Sequence, residues 1–389
     1  MDRCKVVGDN TFSFSIGHIE ILHALHQALS SARHYIFIEM YLVERGRAFQ
    51  WVYALLEEAS NRGVQIFLLL DDFGSRAVLR DLFLSHALPA NIHVTAYNPI
   101  NYRRWTRNFH RDHRKLVLVD GEVALVGGFG ITDDFFPQTP DPGEPLSEKA
   151  IESDDQEAKT AWLDVAVTIS GPVLADWDRG FREIWRESSE IILPLGRAAV
   201  KGGEMAGRAA FGWGWRKQDI VRELLRRIKR SHGSLQIITP YFVTSWRVRR
   251  ALRWAARQGV KVQIIVPGLT SDHPGVTYAA RRHYRSLLRA GVELFEYQPT
   301  FIHAKVYVCD DWCSVGSFNL DHWTYRWNLE ANQEVWNAEF TTQVAGFFEQ
   351  CRRKSRAVTL ASLNKMGWYS RLMVYLMGKL DELLIRFLR

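Results

Sequence analysis

The sequence predicts an α/β fold made of two repeated halves, because one order of elements occurs in it twice. Tyr35 to Tyr41 (YIFIEMY) is a short β-rich run. A helical stretch follows, then Arg62-Gly63-Val64 and the apolar run Gln65 to Leu70. Leu235 to Tyr241 (LQIITPY) leads through another helical stretch into Gln258-Gly259-Val260 and the run Lys261 to Val266. Each series reads strand, helix, glycine turn, strand, which is a βαβ unit of a parallel sheet. Tyr97-Asn98-Pro99 then answers Tyr297-Gln298-Pro299, each ahead of a strand that carries a histidine. Chance can supply one such resemblance, but it rarely supplies the whole order twice.

Two stretches interrupt the pattern. Pro137 to Lys159 combines prolines with many acidic residues and reads as a solvated loop within the first half. Gly196 to Gly214, rich in Gly and Ala, reads as the connection between halves, although Phe211, Trp213 and Trp215 are unusual in a spacer. The expected organisation is an N-terminal half at 1–195, a linker at 196–217, a C-terminal half at 218–350 and a helical, amphipathic C-terminal region at 351–389.

Composition narrows the class of partner. With 47% hydrophobic and 24% charged residues the chain is globular in type, and a net charge of +7 is too small for disorder by charge repulsion. The basic excess favours an anionic partner, either nucleic acid or an acidic membrane face. The four cysteines are too scattered for a disulfide framework, and Cys309 and Cys313 lack a second ligand pair for zinc. No window holds the eighteen or so uncharged apolar residues of a spanning helix, and residues 1–35 lack a signal-type apolar run.

The chemistry lies in a second repeat. His113-Arg114-Lys115 precedes Leu-Val-Leu-Val and Asp120, with Gly127-Gly128 beyond. His303-Ala304-Lys305 precedes Val-Tyr-Val-Cys and Asp310, with Gly316-Ser317-Phe318-Asn319 beyond. Both read H-x-K-x4-D. Residues i and i+2 share a face of a strand, so each histidine and its lysine point the same way. The glycine-bearing turn lets backbone N–H groups approach an anion. Two imidazoles can divide phosphoryl chemistry, one attacking phosphorus and the other protonating the leaving oxygen. Two lysines supply fixed positive charge where negative charge grows. The set has no need of a divalent ion, so neither metal nor cofactor is expected.

These residues closely resemble the phospholipase D superfamily, whose defining motif is this duplicated HKD, over about Tyr35 to Val335. The resemblance implies two α/β/α sandwich halves related by a pseudo-twofold, with one active site at their interface. It implies that His113 and His303 are nucleophile and general acid/base, His113 being the nucleophile. Lys115, Lys305 and Asn319 would bind phosphate oxygens, with Ser317 and Gly128 beside them. Asp120 and Asp310 complete the two catalytic motifs and are expected to orient loops. Family position assigns Glu330 to His303 and Asp164 to His113 as carboxylate partners. Two departures stand out: Gly130 occupies a place where the family usually has Asn, and the second motif is one residue shorter between Asp310 and Gly316.

Within the superfamily the chain most resembles bacterial cardiolipin synthases without N-terminal transmembrane helices. The residues concerned are Arg111-Asp112-His113-Arg114-Lys115, Pro240-Tyr241-Phe242, Ser271-Asp272-His273, Glu296-Tyr297-Gln298-Pro299 and Asn328-Leu329-Glu330-Ala331-Asn332. That resemblance implies transfer of a phosphatidyl group between two phosphatidylglycerols, giving cardiolipin and glycerol, at the cytoplasmic side of the inner membrane. Expected partners are anionic phospholipid and the membrane surface. Nucleic acid is not expected, and an oligomer is compatible with the sequence. The rival readings are a hydrolytic phospholipase D, a nuclease of the same superfamily and a non-catalytic membrane-binding scaffold. Tyr369, Leu372, Met373, Leu376, Leu380, Leu383, Leu384 and Phe387 form one helical stripe with Arg371, Lys379, Arg386 and Arg389 elsewhere. This amphipathic helix either contacts lipid or packs on protein.

Overall fold

The computed structural model describes residues 4–387 apart from 86–87, 104, 142–160, 198–201, 215–216 and 269–270. Most of the acidic loop expected at Pro137 to Lys159 therefore lies outside the described residues. The first half contributes strands β1 (Val7–Ile16), β2 (Tyr35–Met40), β3 (Gln65–Asp71), β4 (Ile92–Tyr97), β5 (Lys115–Val119), β6 (Val123–Gly127) and β7 (Val165–Ser170). The second contributes β8 (Met205–Trp213), β9 (Lys217–Gln218), β10 (Ser234–Ile238), β11 (Lys261–Pro267), β12 (Glu293–Tyr297), β13 (Val306–Cys309), β14 (Trp312–Gly316), β15 (Leu329–Trp336) and β16 (Ser355–Val358).

These strands form one sheet in the order β16-β12-β11-β10-β13-β14-β15-β8-β1-β7-β6-β5-β2-β3-β4, with the short β9 paired to β8. Apart from the additional β16 at one edge, the order read from either end towards the β8–β1 seam is the same, with β12 answering β4 and β15 answering β7. The repeat in the sequence is thus a pseudo-twofold in space. Within each half the βαβ strands are parallel, β2 to β3 to β4 and β10 to β11 to β12. Parallel strands covered on both faces read as unbroken apolar runs, and Ile66 to Leu70 is buried throughout. The helix before each second strand ends in the same way, with Gly63 and Gly259 both at φ +88°, a region closed to most side chains.

Helices Gly17–Ser31, Arg47–Asn61 and Arg76–Leu84 cover one face of the first half. Asp219–Arg230, Trp246–Arg257 and Pro274–Arg281 cover the matching face of the second. The opposite face carries Leu174–Ser188 and Ala338–Arg353 over a single core shared by both halves. Phe14 of β1 meets Phe340 and Phe347 of the second half's helix edge to face, at 6.1 and 5.8 Å between ring centres.

Two expectations about organisation change. The segment 196–217 contains β8, a central strand between β1 and β15. Its Gly and Ala content serves close packing: a Cβ at Gly207 would run into the Phe12 ring. Phe211, odd in a spacer, is buried and packs on Trp177 at 5.4 Å. The region 351–389 is not wholly helical, since β16 joins the sheet antiparallel to β12. Composition cannot separate a flexible Gly/Ala linker from a strand that needs small residues under an aromatic ring.

The two roles of glycine separate in unfolding experiments. Gly207→Ala is expected to lower stability by about 1–3 kcal/mol through overpacking against Phe12. Gly346→Ala is expected to be neutral or to raise stability by up to about 1 kcal/mol, because it lies on an exposed helix face with open space around it. Urea denaturation of both variants checks this, and a linker at Gly207 would make the first substitution silent.

Candidate active site

Each HKD segment reaches across to the other half. The His113 N–H donates to the Leu329 carbonyl at 2.9 Å, and the Leu329 N–H returns to Arg111 at 2.8 Å. The His303 N–H donates to Leu163 at 2.8 Å, and the Leu163 N–H returns to Phe301 at 2.9 Å. These are two equivalent parallel bridges, Asp112 with Leu329 and Ile302 with Leu163. The next residue after each leucine is a carboxylate, so each bridge delivers an acid to the opposite half's histidine. Glu330 lies 3.0 Å from His113 Nδ1, and Asp164 lies 2.8 Å from His303 Nδ1.

The carboxylates are therefore exchanged relative to the sequence expectation, which gave Glu330 to His303 and Asp164 to His113. Family position gave pairing within a half; the bridges across the seam decide otherwise. Fixing Nδ1 in this way orients the ring and leaves Nε2 for chemistry.

Both lysines are buried with the histidines. Lys115 Nζ donates to the His113 carbonyl at 2.7 Å, and Lys305 Nζ lies 2.8 Å from His303 Nε2. Burial lowers the Lys115 ammonium to about 7 and the Lys305 ammonium to about 8. Burial, helped by both lysines, holds His113 well below its ordinary value, and the same causes take His303 to about 4. The two carboxylates diverge. Burial raises Glu330 to about 8, whereas at Asp164 the pull of Lys305 and the His303 bond outweighs burial and keeps it below its ordinary value. An entering phosphodiester brings the counter-charge that these lysines lack, and so favours their protonated forms.

Around this group lies a cavity of about 1370 Å³, above the usual size of small-ligand pockets. Its wall includes His113, Lys115, His303, Asn319 and Gly128. Asn319 is buried, and its Oδ1 has no partner among the described residues. The Ser317 hydroxyl donates to Glu330, and Asn328 Nδ2 adds a second bond to that carboxylate at 3.2 Å. Gly128 holds the place that Ser317 holds in the other half; a Cβ there would stand 2.6 Å from the Asp164 oxygens. Gly130 stands where Asn319 does, against the Leu42 carbonyl.

Asp120 and Asp310 sit outside the cavity. Each follows the first strand of a hairpin at positive φ, +54° and +53°, and its carboxylate accepts backbone N–H groups at the start of β2 or β10. Asp120 takes those of Arg33, His34 and Tyr35 at 2.7–2.8 Å, and Asp310 those of His232, Gly233 and Ser234 at 3.0–3.2 Å. The motif aspartates are staples of the fold, as expected of loop-orienting residues. The shorter second motif corresponds to a two-residue turn after β13, against three residues after β5.

Aromatic residues complete the wall. Tyr41 packs on His113 at 4.8 Å, with Lys115 Nζ 5.2 Å from its ring centre. Phe135, Trp162, Phe301 and Tyr241 surround His303 at 5.2, 5.5, 5.7 and 6.4 Å. Sequence reasoning missed these as site residues. Tyr41 and Tyr241 had a signal, since both end the matched runs that revealed the repeat.

The helix Trp368–Phe387 reaches the cavity mouth through Met377, Leu380 and Asp381. It packs on the body through Gly378, and Arg282 ties it down at 3.5 Å to Asp381 and 3.3 Å to Glu382. Tyr369, Leu372, Leu376, Leu380 and Leu383 remain exposed, from 44% to 61%. The helix therefore packs on protein with one face and leaves most of the described apolar stripe outward; the side chains of Leu384 and Phe387 lie outside the described residues. Among the described residues, no helix is long and apolar enough to cross a membrane.

With this geometry in place, the similarities are informative. The family model described as cardiolipin synthase, PLD-like domain matches residues 25–140 and 224–352, taking in both HKD motifs. A cardiolipin synthase A of Pseudomonas putida is 29% identical over 375 residues, covering 92% of this chain and 72% of the relative. A probable cardiolipin synthase of Bacillus subtilis is 27% identical over 359 residues, covering 89% and 66%. In solved structures, the phosphatidylserine synthase of Haemophilus influenzae superposes with a TM-score of 0.70 at 13% identity, covering 98% of this chain and 96% of that one, a likeness of fold. The chain belongs to the phospholipase D superfamily, in the family of cardiolipin synthase PLD-like domains.

Proposed function

We propose that this protein is a phosphatidyltransferase that forms cardiolipin from two phosphatidylglycerols through a phosphohistidine. The observation that carries the reading is the pairing of two buried histidines at one cavity, each on its own carboxylate and each beside a buried lysine. In the first step His113 Nε2 attacks the donor's phosphorus, the bond from phosphorus to the glycerol oxygen breaks, and His303 gives that oxygen a proton. In the second, His303 takes the proton of an incoming lipid hydroxyl, whose oxygen displaces His113 and restores the enzyme. The ionised Asp164 and the bound phosphodiester favour the protonated His303 that the first step needs, and burial keeps His113 neutral to attack. Lys115 and Lys305 neutralise the phosphate oxygens, and the side-chain N–H groups of Asn319 donate to them. Aromatic walls around His303 favour transfer over hydrolysis by keeping bulk water away.

The substrate must come from a membrane surface, and the outward stripe of the C-terminal helix, at the cavity mouth, suits peripheral contact with an anionic bilayer on its cytoplasmic side. Hydrolysis is the second reading, and phosphatidylglycerol vesicles with mass spectrometry of the lipid products separate cardiolipin from phosphatidic acid.

His113→Ala and His303→Ala should each reduce turnover by at least about a thousandfold with the fold intact by circular dichroism. Given a donor with a good leaving group, the His303 variant should still trap radiolabelled phosphatidyl on protein. Label on His303 in the His113 variant would reverse the assignment.

The lysines predict the pH response. Both are charged, and hold the phosphodiester, below about 7 and 8 respectively; as pH rises through these values the free enzyme loses anion affinity. KM for a short-chain phosphodiester should thus rise between pH 7 and 9, and Lys115→Arg should flatten its part of the rise. A pH-independent KM contradicts this account.

Replacing Leu372, Leu376 and Leu383 together with Ser should weaken co-sedimentation with anionic vesicles at least about tenfold, through lost apolar burial. Turnover of a soluble short-chain substrate should change by less than about twofold. Undiminished vesicle binding would remove the helix as the contact.

A further inference from the structure

We infer that Asp272, held by Tyr241 at the His303 end of the cavity, selects the alcohol of the reaction by accepting hydrogen bonds from neighbouring hydroxyls of a polyol. This rests on the transferase reading and names the substrate feature that the site recognises.

Asp272 lines the cavity with its side chain 19% exposed, and Tyr241 donates its hydroxyl to one carboxylate oxygen. Among the described residues the other oxygen has only a long contact, 3.5 Å, from the Ser271 hydroxyl, and His273 Nε2 stands 3.7 Å from the oxygen that Tyr241 holds. A carboxylate at the edge of a cavity built for a phosphodiester is at first sight misplaced. Both groups are anionic and only accept hydrogen bonds, so Asp272 cannot be a phosphate ligand. It requires donors, and the donor-rich part of a phosphatidylglycerol is its glycerol.

Position agrees with this. The Tyr241 ring stands 6.4 Å from His303, the residue that exchanges a proton with the alcohol oxygen in the proposed mechanism. The other rings around His303, those of Phe135, Trp162 and Phe301, offer no carboxylate. A polyol placed there meets its acceptor at Asp272.

The pseudo-twofold supplies an internal comparison. Tyr41 follows β2 as Tyr241 follows β10, yet the connection after β3 brings Phe73, not an acid, to the cavity wall. Glu44, Asp321 and Asp381 also line the cavity, but of the connections that follow β3 and β11 the one with Asp272 brings an acid to the wall and the one with Phe73 does not. Two oxygens of one carboxylate can accept from two vicinal hydroxyls together, as charge-assisted bonds. A site with such an acceptor discriminates against an analogue that lacks the hydroxyl.

The test uses the full-length enzyme, a short-chain phosphatidyl donor, and glycerol, 1,2-propanediol, 1-propanol or ethanolamine as soluble acceptor. Products are quantified by mass spectrometry. The wild type should prefer glycerol and 1,2-propanediol over 1-propanol at least about tenfold in kcat/KM. Asp272→Ala should bring that ratio to within about twofold, and Tyr241→Phe should reduce it about threefold. Asp272→Asn keeps the size and serves if the alanine variant does not fold. A ratio unchanged in all three variants overturns the inference, including where overall rates fall together, since that is the mark of a structural role. A loss confined to ethanolamine overturns it as well, because the carboxylate would then serve an ammonium. A wild type that yields phosphatidic acid alone with every acceptor instead refutes the transferase reading on which the inference stands.

Discussion

Everything in the site depends on the two backbone bridges that cross the seam between the halves. Through them the chain of His113 runs beside Leu329, and that of His303 beside Leu163. Each histidine receives its carboxylate from the half to which it does not belong. Neither half holds a complete catalytic pair, so the joined sheet at β8 and β1 is a condition of the chemistry as well as of the fold. The shared aromatic core beneath the seam, with Phe14 against Phe340 and Phe347, packs the two halves together.

The second constraint is electrostatic. Two lysines, two histidines and two carboxylates are almost wholly buried within one region. Burial disfavours every charged form, and the close pairings offset only part of that cost. The outcome is a set of neutral imidazoles, lysines brought near neutrality and carboxylates with opposite tendencies. Such a site is poised for an anion, because a phosphodiester restores the positive charge that folding suppressed.

A pseudo-twofold gives two equivalent ends to a cavity, and the proposed reaction needs them different. The bridges fix which positions correspond: Gly128 with Ser317, Gly130 with Asn319, Trp162 with Asn328 and Asp164 with Glu330. Around Glu330 and His113 the second half supplies hydroxyl and amide groups. Around His303 the first half supplies glycines and aromatic rings. In the proposed mechanism nucleophile and proton donor are the same residue type in the same motif, so these neighbours supply the difference.

The sequence by itself determined the repeat, the strand and helix order of both halves, and the histidines and lysines of the site. These follow from local rules, namely apolar runs, glycine turns and the alternation of side chains along a strand. It also carried the family, because the HKD motif occurs twice at equivalent places. What only the tertiary structure decided involves contacts between distant segments. The exchange of Glu330 and Asp164 depends on which strands meet at the seam, and no spacing within either half encodes it. The central place of β8 was hidden because glycine and alanine have the same composition in a tight strand as in a loose linker. Tyr41, Trp162 and Tyr241 had no site role in the sequence reading, and only the fold brings them to the histidines. The C-terminal stripe was legible, but that the helix would bury Gly378 and leave Leu372, Leu376 and Leu383 in solvent depended on a surface formed by other helices.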